Sequence, residues 1–373
     1  MKIVFTGGGT GGHVFPLIAI IRELKKISRN VECFYIGPRD EFAATFLAYE
    51  EVKIKWIFAG KFRRYLTLQS IFQNLIDIFK IPIGFFQTFF YLLFLNPDLI
   101  FSKGGYGAIL VVISGWILRI PIFIHESDVV PGLVNRISAK FATAIFVSFP
   151  KTLYLPQSKM IYVGNPIRTE LLTGNREEAR QYFKITGEKP VILILGGSQG
   201  AQRINDKVLT ILTTFLKDFE IIHQTGEKNF KEVEFEVRGT LDEKLRRYYH
   251  PFPFLKEDEL KKAYSICDLI VARAGSNTIF EIAATGKPSI LIPLAESAQN
   301  HQLKNAYAFY ESGAAKVIEE KNFTPGFFLG IIKFIFSNVE EMERMKTGAK
   351  NFAKPLAAKM IAQSIFEFLR NVS

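Results

Sequence analysis

The sequence predicts an α/β protein made of two Rossmann-like domains, each built on a parallel sheet, and three observations carry that prediction. Short apolar, β-rich runs alternate with helix-length stretches, as crossover units on a parallel sheet require. The alternation pauses at a polar stretch, "GNREEARQYFKITGEKP" (174–190), and then restarts. Both halves open the same way, strand then glycine turn then helix, as "KIVFTGGGTGGH" at 2–13 and as "PVILILGGSQGA" at 190–201. An echo at this scale is a repeat of domains rather than of a short motif.

Strands are expected at 3–5, 33–36, 99–101, 122–124, 144–147 and 160–163 in the first half. In the second they are expected at 191–195, 220–223, 269–272 and 289–292. The segment 354–369 reads as an amphipathic helix that packs back on the first domain. The division expected is therefore 1–164, 165–353 and a terminal helix within 354–373, with a ligand cleft between two facing domains.

Composition bounds the class. The chain has 373 residues, 48% of them hydrophobic and 22% charged, enough for a large core and too apolar for a disordered or fibrous protein. Lys and Arg number 47 against 36 Asp and Glu, a net charge of +11. That balance suits nucleic acid, phosphorylated metabolites or an acidic membrane surface, or serves only solubility. Cys33 and Cys267 lie far apart in apolar runs, with neither disulfide-framework nor metal-ligand spacing, which fits a reducing cytoplasm. "MKIVFTGG" runs directly into a strand, without the apolar region and cleavage site of a signal peptide. The most apolar window, 81–101, is broken by Gly84, Gln87, Pro97 and Asp98. It thus falls short of the roughly 18 uninterrupted apolar residues a bilayer span needs, and no transmembrane helix is expected.

Gly7, Gly9 and Gly12 spell G-x-G-x-x-G between a strand and a helix. A nicotinamide site also wants an acidic residue at the tip of the second strand, but "FYIGPRD" puts Gly37 there and Asp40 late, which demotes a dinucleotide. Five glycines in the six positions 7–12 exceed what a tight turn needs. They let backbone N–H groups approach an anion closely, with the positive end of the next helix behind them. Similar loops recur as "KGGYGA" at 103–108 and "GGSQGA" at 196–201, so three should converge on one crevice. Gly9, with Gly104, Gly105 and Tyr106, is the expected cradle for a diphosphate.

With "GGGTGGHVFP", "HESDVVPGLVNR", "VGNPIR", "GGSQGA" and "ARAGSNTIFEIAATGKPSILIPLAESAQNHQLKNA" in order from Gly7 to Ala306, the chain resembles the MurG family of glycosyltransferases. The resemblance implies a GT-B fold, no cofactor and no obligatory metal. It implies inverting transfer of N-acetylglucosamine from UDP to the C4 hydroxyl of N-acetylmuramyl-pentapeptide on undecaprenyl pyrophosphate, the lipid I to lipid II step of peptidoglycan synthesis. Carried over by motif, Thr10, Gly11, Gly12 and Ser198 should meet the donor, with Arg168 near its diphosphate. Ser276, Asn277 and Thr278 open the element that grips the nucleotide, Glu281 should accept the ribose hydroxyls, and Gln302 should hold the sugar hydroxyls. Leu255 matches the position whose backbone reads uracil, although "LKEDEL" is two residues longer than the usual pattern. Asp128 stands where the family often has asparagine and so lacks an amide N–H donor, which leaves its contact with the donor open.

The remaining polar residues divide differently. Arg273 and Asp268 flank a strand and fit structural ion pairs as well as ligand contacts. His125 and Glu126 end a strand that should face the crevice. His223, His250 and His301 show no partner carboxylate and read as surface or satisfied core. His13 follows the first glycine loop at a helix N-terminus, whose dipole would depress its pKa. Its neutral imidazole could serve as the base on the acceptor hydroxyl or could only position ligand, with Glu126 and Asp128 as fallback bases.

Between 59 and 95, Lys61, Arg63, Arg64 and Lys80 accompany Phe72, Phe79, Phe85, Phe86, Phe89 and Phe90. These form either a basic, aromatic seat on anionic lipid or helices buried against the sheet. The resemblance favours the seat and implies a peripheral protein on the cytoplasmic face of the inner membrane. Its expected partners are UDP-N-acetylglucosamine, the lipid-linked acceptor and other cell-wall synthesis proteins, with no nucleic acid. Rival readings are a UDP-N-acetylglucosamine 2-epimerase or a glycosyltransferase with another acceptor, an NAD-dependent oxidoreductase, and a non-enzymatic membrane or nucleic-acid binder.

Overall fold

A computed structural model describes residues 1–8, 11–60, 68–197 and 200–372. The chain forms two compact units, one of residues 1–168 with 355–373 and one of residues 169–354. In the first unit, β1 (Lys2–Thr6), α1 (Gly11–Ile27), β2 (Glu32–Pro38), α2 (Glu41–Tyr49), β3 (Lys53–Ile57) and α3 (Leu68–Leu95) precede the second half of the sheet. That half comprises β4 (Leu99–Ser102), α4 (Ala108–Ile117), β5 (Ile122–Glu126), α5 (Leu133–Ser138), β6 (Ala144–Val147) and β7 (Met160–Tyr162). Every pairing is parallel, in the order β3-β2-β1-β4-β5-β6-β7.

The second unit runs α6 (Arg176–Phe183), β8 (Val191–Leu195), α7 (Gln202–Asp218), β9 (Glu220–Gln224), α8 (Phe230–Thr240), α9 (Glu243–Arg246) and β10 (Tyr249–Phe252). It continues α10 (Glu257–Ile266), β11 (Leu269–Ala272), α11 (Ser276–Thr285), β12 (Ser289–Leu291), α12 (His301–Glu311), β13 (Ala315–Val317), α13 (Pro325–Ser337) and α14 (Val339–Phe352). Its sheet, β10-β9-β8-β11-β12-β13, is again all parallel. Strand order reverses between β1 and β4 in one unit and between β8 and β11 in the other. A doubly wound sheet opens a crevice at the carboxyl ends of such neighbours.

The cores follow from the apolar strands. One face of the first sheet packs Ile3, Phe5 and Phe101 on Val14, Leu17 and Ile21 of α1, and the opposite face packs Val4, Ile36 and Ile100 on Leu110 and Val111 of α4. The terminal helix α15 (Ala357–Val372) closes the first of these faces with Ile361, Ile365 and Leu369, and Phe368 meets Phe123 edge-on at 5.1 Å. In the second unit Ile192, Ile194 and Ile221 pack on Ile204, Val208 and Phe215 of α7, with Phe328 and Ile332 of α13 behind them.

Three strands, β3, β10 and β13, lie outside those expected from the sequence, and each is an edge. Edge strands are short and carry charge or proline, here Lys53 and Lys55, Pro251 and Lys316, so no apolar run marks them.

The interrupted apolar window requires a correction. Gly84 and Gln87 do not break it, because α3 continues through them and through Pro82 as one helix, but it ends at Leu95 ahead of Pro97 and Asp98; 72–95 is long and apolar enough to cross a membrane by length and composition alone. Gly84 is what allows the helix to dock, since a Cβ there would lie 1.7 Å from the Phe58 carbonyl oxygen. Leu92 is buried against α4 and Phe85 is half-buried, whereas Phe72, Phe79, Phe86, Phe90 and Phe94 are exposed. The aromatic stretch is therefore divided between core and surface. Lys61, Arg63 and Arg64 lie outside the described residues, and Lys80 is paired with Asp77 at 2.7 Å.

Candidate functional site

In the first unit the ends of β1, β4 and β5 bring the candidate residues together. Tyr35 donates its hydroxyl to the Gly7 carbonyl at 3.0 Å, fixing the start of the first glycine loop. The second loop is fitted to it: Gly105 has φ +88°, and a Cβ there would come within 2.6 Å of the Gly8 nitrogen. Gly104, with φ +85°, lies against the Asn135 side chain in the same way. Close packing accounts for these two glycines whether or not an anion binds, and half-buried Tyr106 follows them. Gly9 and Thr10 fall outside the described residues, while Gly11 and Gly12 open α1.

His13, in the first turn of α1, lies over Gly8, its Nδ1 within 3.0 Å of where a Gly8 Cβ would stand. Burial chiefly, and then the Lys103 ammonium, push the imidazole down to about 4, while Asp128 pulls it upward. The helix end invoked from the sequence is thus not the leading cause.

Lys103, the residue after β4, is buried, and its ammonium donates to Ser127 Oγ. Burial pushes it down to about 8 against the opposing pull of Glu126 and Asp128. Its sequence signal is weak, because only the sheet order brings it to the tip of β5.

Glu126 accepts from the Asp128 N–H at 2.9 Å, the Gly132 N–H at 3.2 Å and Asn135 Nδ2 at 2.9 Å. Burial and Asp128 raise it to about 7. A carboxylate taken up by three donors orders the 127–132 turn, which counts against its use as a base. His125 is buried, bonded to the Gly164 carbonyl at 3.1 Å, and belongs to the core. Arg168 lies in this first unit, buried, with its guanidinium 4.0 Å from the Phe15 ring centroid.

In the second unit the ends of β8 and β11 form the corresponding crevice. Ser276, Asn277 and Thr278 are the first turn of α11, whose N-cap is Gly275 and whose first turn carries no acidic residue. Its positive end is suited to a phosphate. One turn on, Glu281 is buried and its Oε2 accepts from the Tyr264 hydroxyl at 2.9 Å. Tyr264 in α10 orients the carboxylate and is not marked by any local motif. Leu255 is buried, with its N–H given to Gln224 Oε1 at 3.0 Å. Gln302, at the start of α12, accepts from the Leu294 N–H at 3.0 Å. Ser198 lies outside the described residues.

Several polar residues resolve as structural. Asp268 pairs with Arg176 at 3.3 Å and accepts from the Val191 N–H at 2.9 Å. Arg273 pairs with Glu320 at 2.5 Å. His250, expected to lack a carboxylate partner, meets buried Glu220 at 2.8 Å across the β9–β10 pairing, and His223 meets the Tyr249 hydroxyl at 2.8 Å. Among the described residues no group of three or more His, Cys, Asp or Glu side chains is placed to hold a metal ion.

Comparison with known proteins covers both units. Residues 3–147 match the glycosyltransferase family 28 N-terminal domain and residues 191–361 its C-terminal domain. A Bacillus cereus protein, UDP-N-acetylglucosamine--N-acetylmuramyl-(pentapeptide) pyrophosphoryl-undecaprenol N-acetylglucosamine transferase 2, is 39% identical over 98% of this chain and 99% of its own length. The crystal structure of Acinetobacter baumannii MurG superposes with a TM-score of 0.74 at 25% identity, covering 98% of this chain and 99% of that one. A Neisseria meningitidis UDP-GlcNAc 2-epimerase bound to UDP-GlcNAc superposes at 0.67 with 15% identity, covering 98% of this chain and 100% of that one, a likeness of fold alone.

Proposed function

Since this chain belongs to the MurG family of glycosyltransferases and has the GT-B fold of two Rossmann-like units, we propose that it moves N-acetylglucosamine from UDP-N-acetylglucosamine to lipid-linked N-acetylmuramyl-pentapeptide, making lipid II from lipid I. The observation that carries this reading is the 39% identity over 98% of the chain to a protein bearing that activity in its name, since it spans both units.

In this reading the second unit holds the donor. The first turn of α11 and the "GGSQGA" loop face the diphosphate, Glu281 takes the ribose hydroxyls, Leu255 lies by the uracil, and Gln302 reads the sugar. The C4 hydroxyl of the muramyl residue attacks the anomeric carbon, the bond to the UDP oxygen breaks with inversion, and the hydroxyl proton passes to a base. Amide N–H groups and the α11 dipole stabilise the charge that develops on UDP. His13 is the base we favour. Its imidazole is neutral in the unliganded protein, and an acceptor diphosphate held near Gly104, Gly105 and Tyr106 would raise its proton affinity toward the useful range. Asp128 is the alternative acceptor of that proton.

The exposed aromatic face of α3 supports a peripheral seat on the cytoplasmic side of the inner membrane, where a polyprenyl-linked acceptor would be met. We also assign anionic lipid and other cell-wall synthesis proteins as its partners there.

The test is to incubate the protein with UDP-N-acetylglucosamine, with and without the lipid-linked acceptor, and to identify products by mass. Glycosylated acceptor plus UDP is expected only when acceptor is present. Conversion of UDP-N-acetylglucosamine without acceptor to its C2 epimer, which has the same mass and is therefore read by NMR, would instead establish the epimerase reading, and turnover of other acceptors alone would redefine the substrate.

A further inference from the structure

The segment between β12 and α12, residues 292–300, is held by a cluster of charges that the reaction itself does not require. Glu320, in the short turn after β13, is its hub. Its Oε1 meets an Arg273 terminal nitrogen at 2.5 Å and its Oε2 meets an Arg203 terminal nitrogen at 2.6 Å, with the Ala295 N–H 3.4 Å from the same Oε2. Arg203, in the first turn of α7, also grips Glu296 of the segment through two bonds, 2.7 and 3.1 Å long. Arg273, just after β11, donates in addition to the Ile292 carbonyl at 3.2 Å. The four charged groups thus tie the carboxyl ends of β11 and β13 and the start of α7 to one short segment.

The hub lies inward and the rim outward: the Glu320 side chain is 9% exposed, whereas those of Arg203 and Glu296 are each 58% exposed. An isolated surface pair contributes little, but a shared carboxylate with bidentate arginine geometry holds direction. What it directs is a strained turn. Gln299 and Asn300 both take φ +54°, a left-handed pair that residues with side chains rarely adopt in succession. Immediately after this turn comes α12, whose second residue, Gln302, has its N–H on Ser297 Oγ at 3.3 Å and its Oε1 on the Leu294 N–H at 3.0 Å. Because the segment occupies the carbonyl end of the Gln302 amide, the NH2 end is the one that can donate to a sugar hydroxyl.

We propose that Glu320, with Arg203, Arg273 and Glu296, is a positioning brace that sets the 292–300 segment, and through it Gln302, for recognition of the donor's sugar rather than its nucleotide. This rests on the reading of Gln302 as the sugar-binding residue. The brace touches no reacting atom; it acts through the segment.

The experiment compares UDP and UDP-N-acetylglucosamine binding by calorimetry in the intact protein and in Glu320→Gln, Glu296→Gln and Gln302→Ala. Gln302→Ala and Glu320→Gln should each weaken UDP-N-acetylglucosamine binding by about tenfold, the scale of one charged or well-placed hydrogen bond, with UDP binding within about twofold of the parent. Glu296→Gln, at an exposed position that does not threaten folding, should give about two- to threefold, shrinking as salt is raised. The double variant of Glu320 and Gln302 should lose much less than the product of the two single effects.

Equal loss of both ligands in Glu320→Gln, or no loss of either in both Glu320→Gln and Glu296→Gln, would overturn the brace. If Gln302→Ala weakens sugar-nucleotide binding and the other two variants do not, the brace alone falls. If Gln302→Ala changes nothing, the reading of Gln302 falls and the brace with it.

Discussion

Lys103 and Arg273 occupy the same place in the two units: each is the first residue after the strand that lies beside the opening strand, β4 beside β1 and β11 beside β8. Their surroundings are opposite. Lys103 is buried on Ser127, with no salt bridge among the described residues, and its proton is loosened by burial. Arg273 is locked on Glu320 and on a backbone carbonyl. Lysine shifts its proton affinity readily when desolvated, whereas arginine stays charged and brings a rigid fork. The contrast matches the proposed division of labour, in which the first crevice moves a proton and the second holds the donor in a fixed orientation. Variants should divide accordingly, with first-unit changes affecting kcat and pH dependence and second-unit changes affecting affinity.

The largest effect expected is that of His13→Ala. If the first unit does the proton transfer, kcat should fall by about 10²–10⁴-fold with the KM for UDP-N-acetylglucosamine nearly unchanged. Steady-state kinetics at saturating acceptor would measure it. A near-normal kcat would erase the distinction between the units on the catalytic side and turn attention to Asp128.

The second unit should answer in affinity. Glu281→Ala removes a carboxylate from the proposed ribose contact and should weaken UDP binding by about 10–100-fold, as losing a charged hydrogen-bond pair implies. Tyr264→Phe leaves the carboxylate but removes its orienting hydroxyl and should cost only about three- to tenfold. Calorimetry on the folded variants is the measurement. A Tyr264→Phe effect as large as that of Glu281→Ala would mean that orientation, not charge, dominates the contact.

How far these sites can be read from the sequence depends on the range of the contacts. Interior strands such as 144–147 and 191–195 coincide with their apolar runs, because strands covered on both faces are uniformly apolar. The crevice residues carried by local motifs, His13, Gly104, Gly105 and the 276–281 block, lie at strand ends because glycine after a strand marks such an end. What escapes is pairing at long range. Tyr264 with Glu281, Arg273 with Glu320 and Glu220 with His250 are brought together by sheet order, which no local spacing encodes. Lys103 stands in plain view in "KGGYGA", yet only its burial beside Gly7 makes it chemically distinctive. Nor does the sequence divide the aromatic stretch, since the partition between Leu92 inside and Phe90 outside is set by docking at Gly84.

The units also differ on their outer surfaces, because the long apolar helix α3 belongs to the first. Replacing Phe79, Phe86 and Phe90 together by serine should lower partitioning onto anionic liposomes by about tenfold or more, since each ring removes apolar area from the proposed seat. Reversing Lys61, Arg63 and Arg64 to glutamate should give a smaller, salt-dependent loss. Sedimentation with liposomes would test both, and indifference to both would leave α3 as a packing element only.

The finest test concerns Lys103 itself. Lys103→Met removes a cation that lowers His13, leaving burial to lower it and Asp128 to raise it, so the imidazole should titrate above its parent value of about 4. The sign for stability follows from linkage. In the parent, unfolded histidine takes a proton near 6.5 while folded His13 resists until about 4, so the unfolded chain binds more protons in that window and acid destabilises the fold. Glu126 opposes this, because its folded carboxyl keeps its proton up to about 7, so acid favours the fold through that group. Losing Lys103, which holds Glu126 down, should raise it further and narrow the His13 window, and both changes make the variant less sensitive to acid than the parent between about pH 5 and 6.5. Imidazole NMR titration with urea unfolding at two pH values would read both shifts, and Lys103→Arg, which keeps the charge, should leave His13 low. An unmoved His13 titration in Lys103→Met would show that the ammonium only fills space beside Ser127, and the contrast with Arg273 would then be one of packing rather than of proton chemistry.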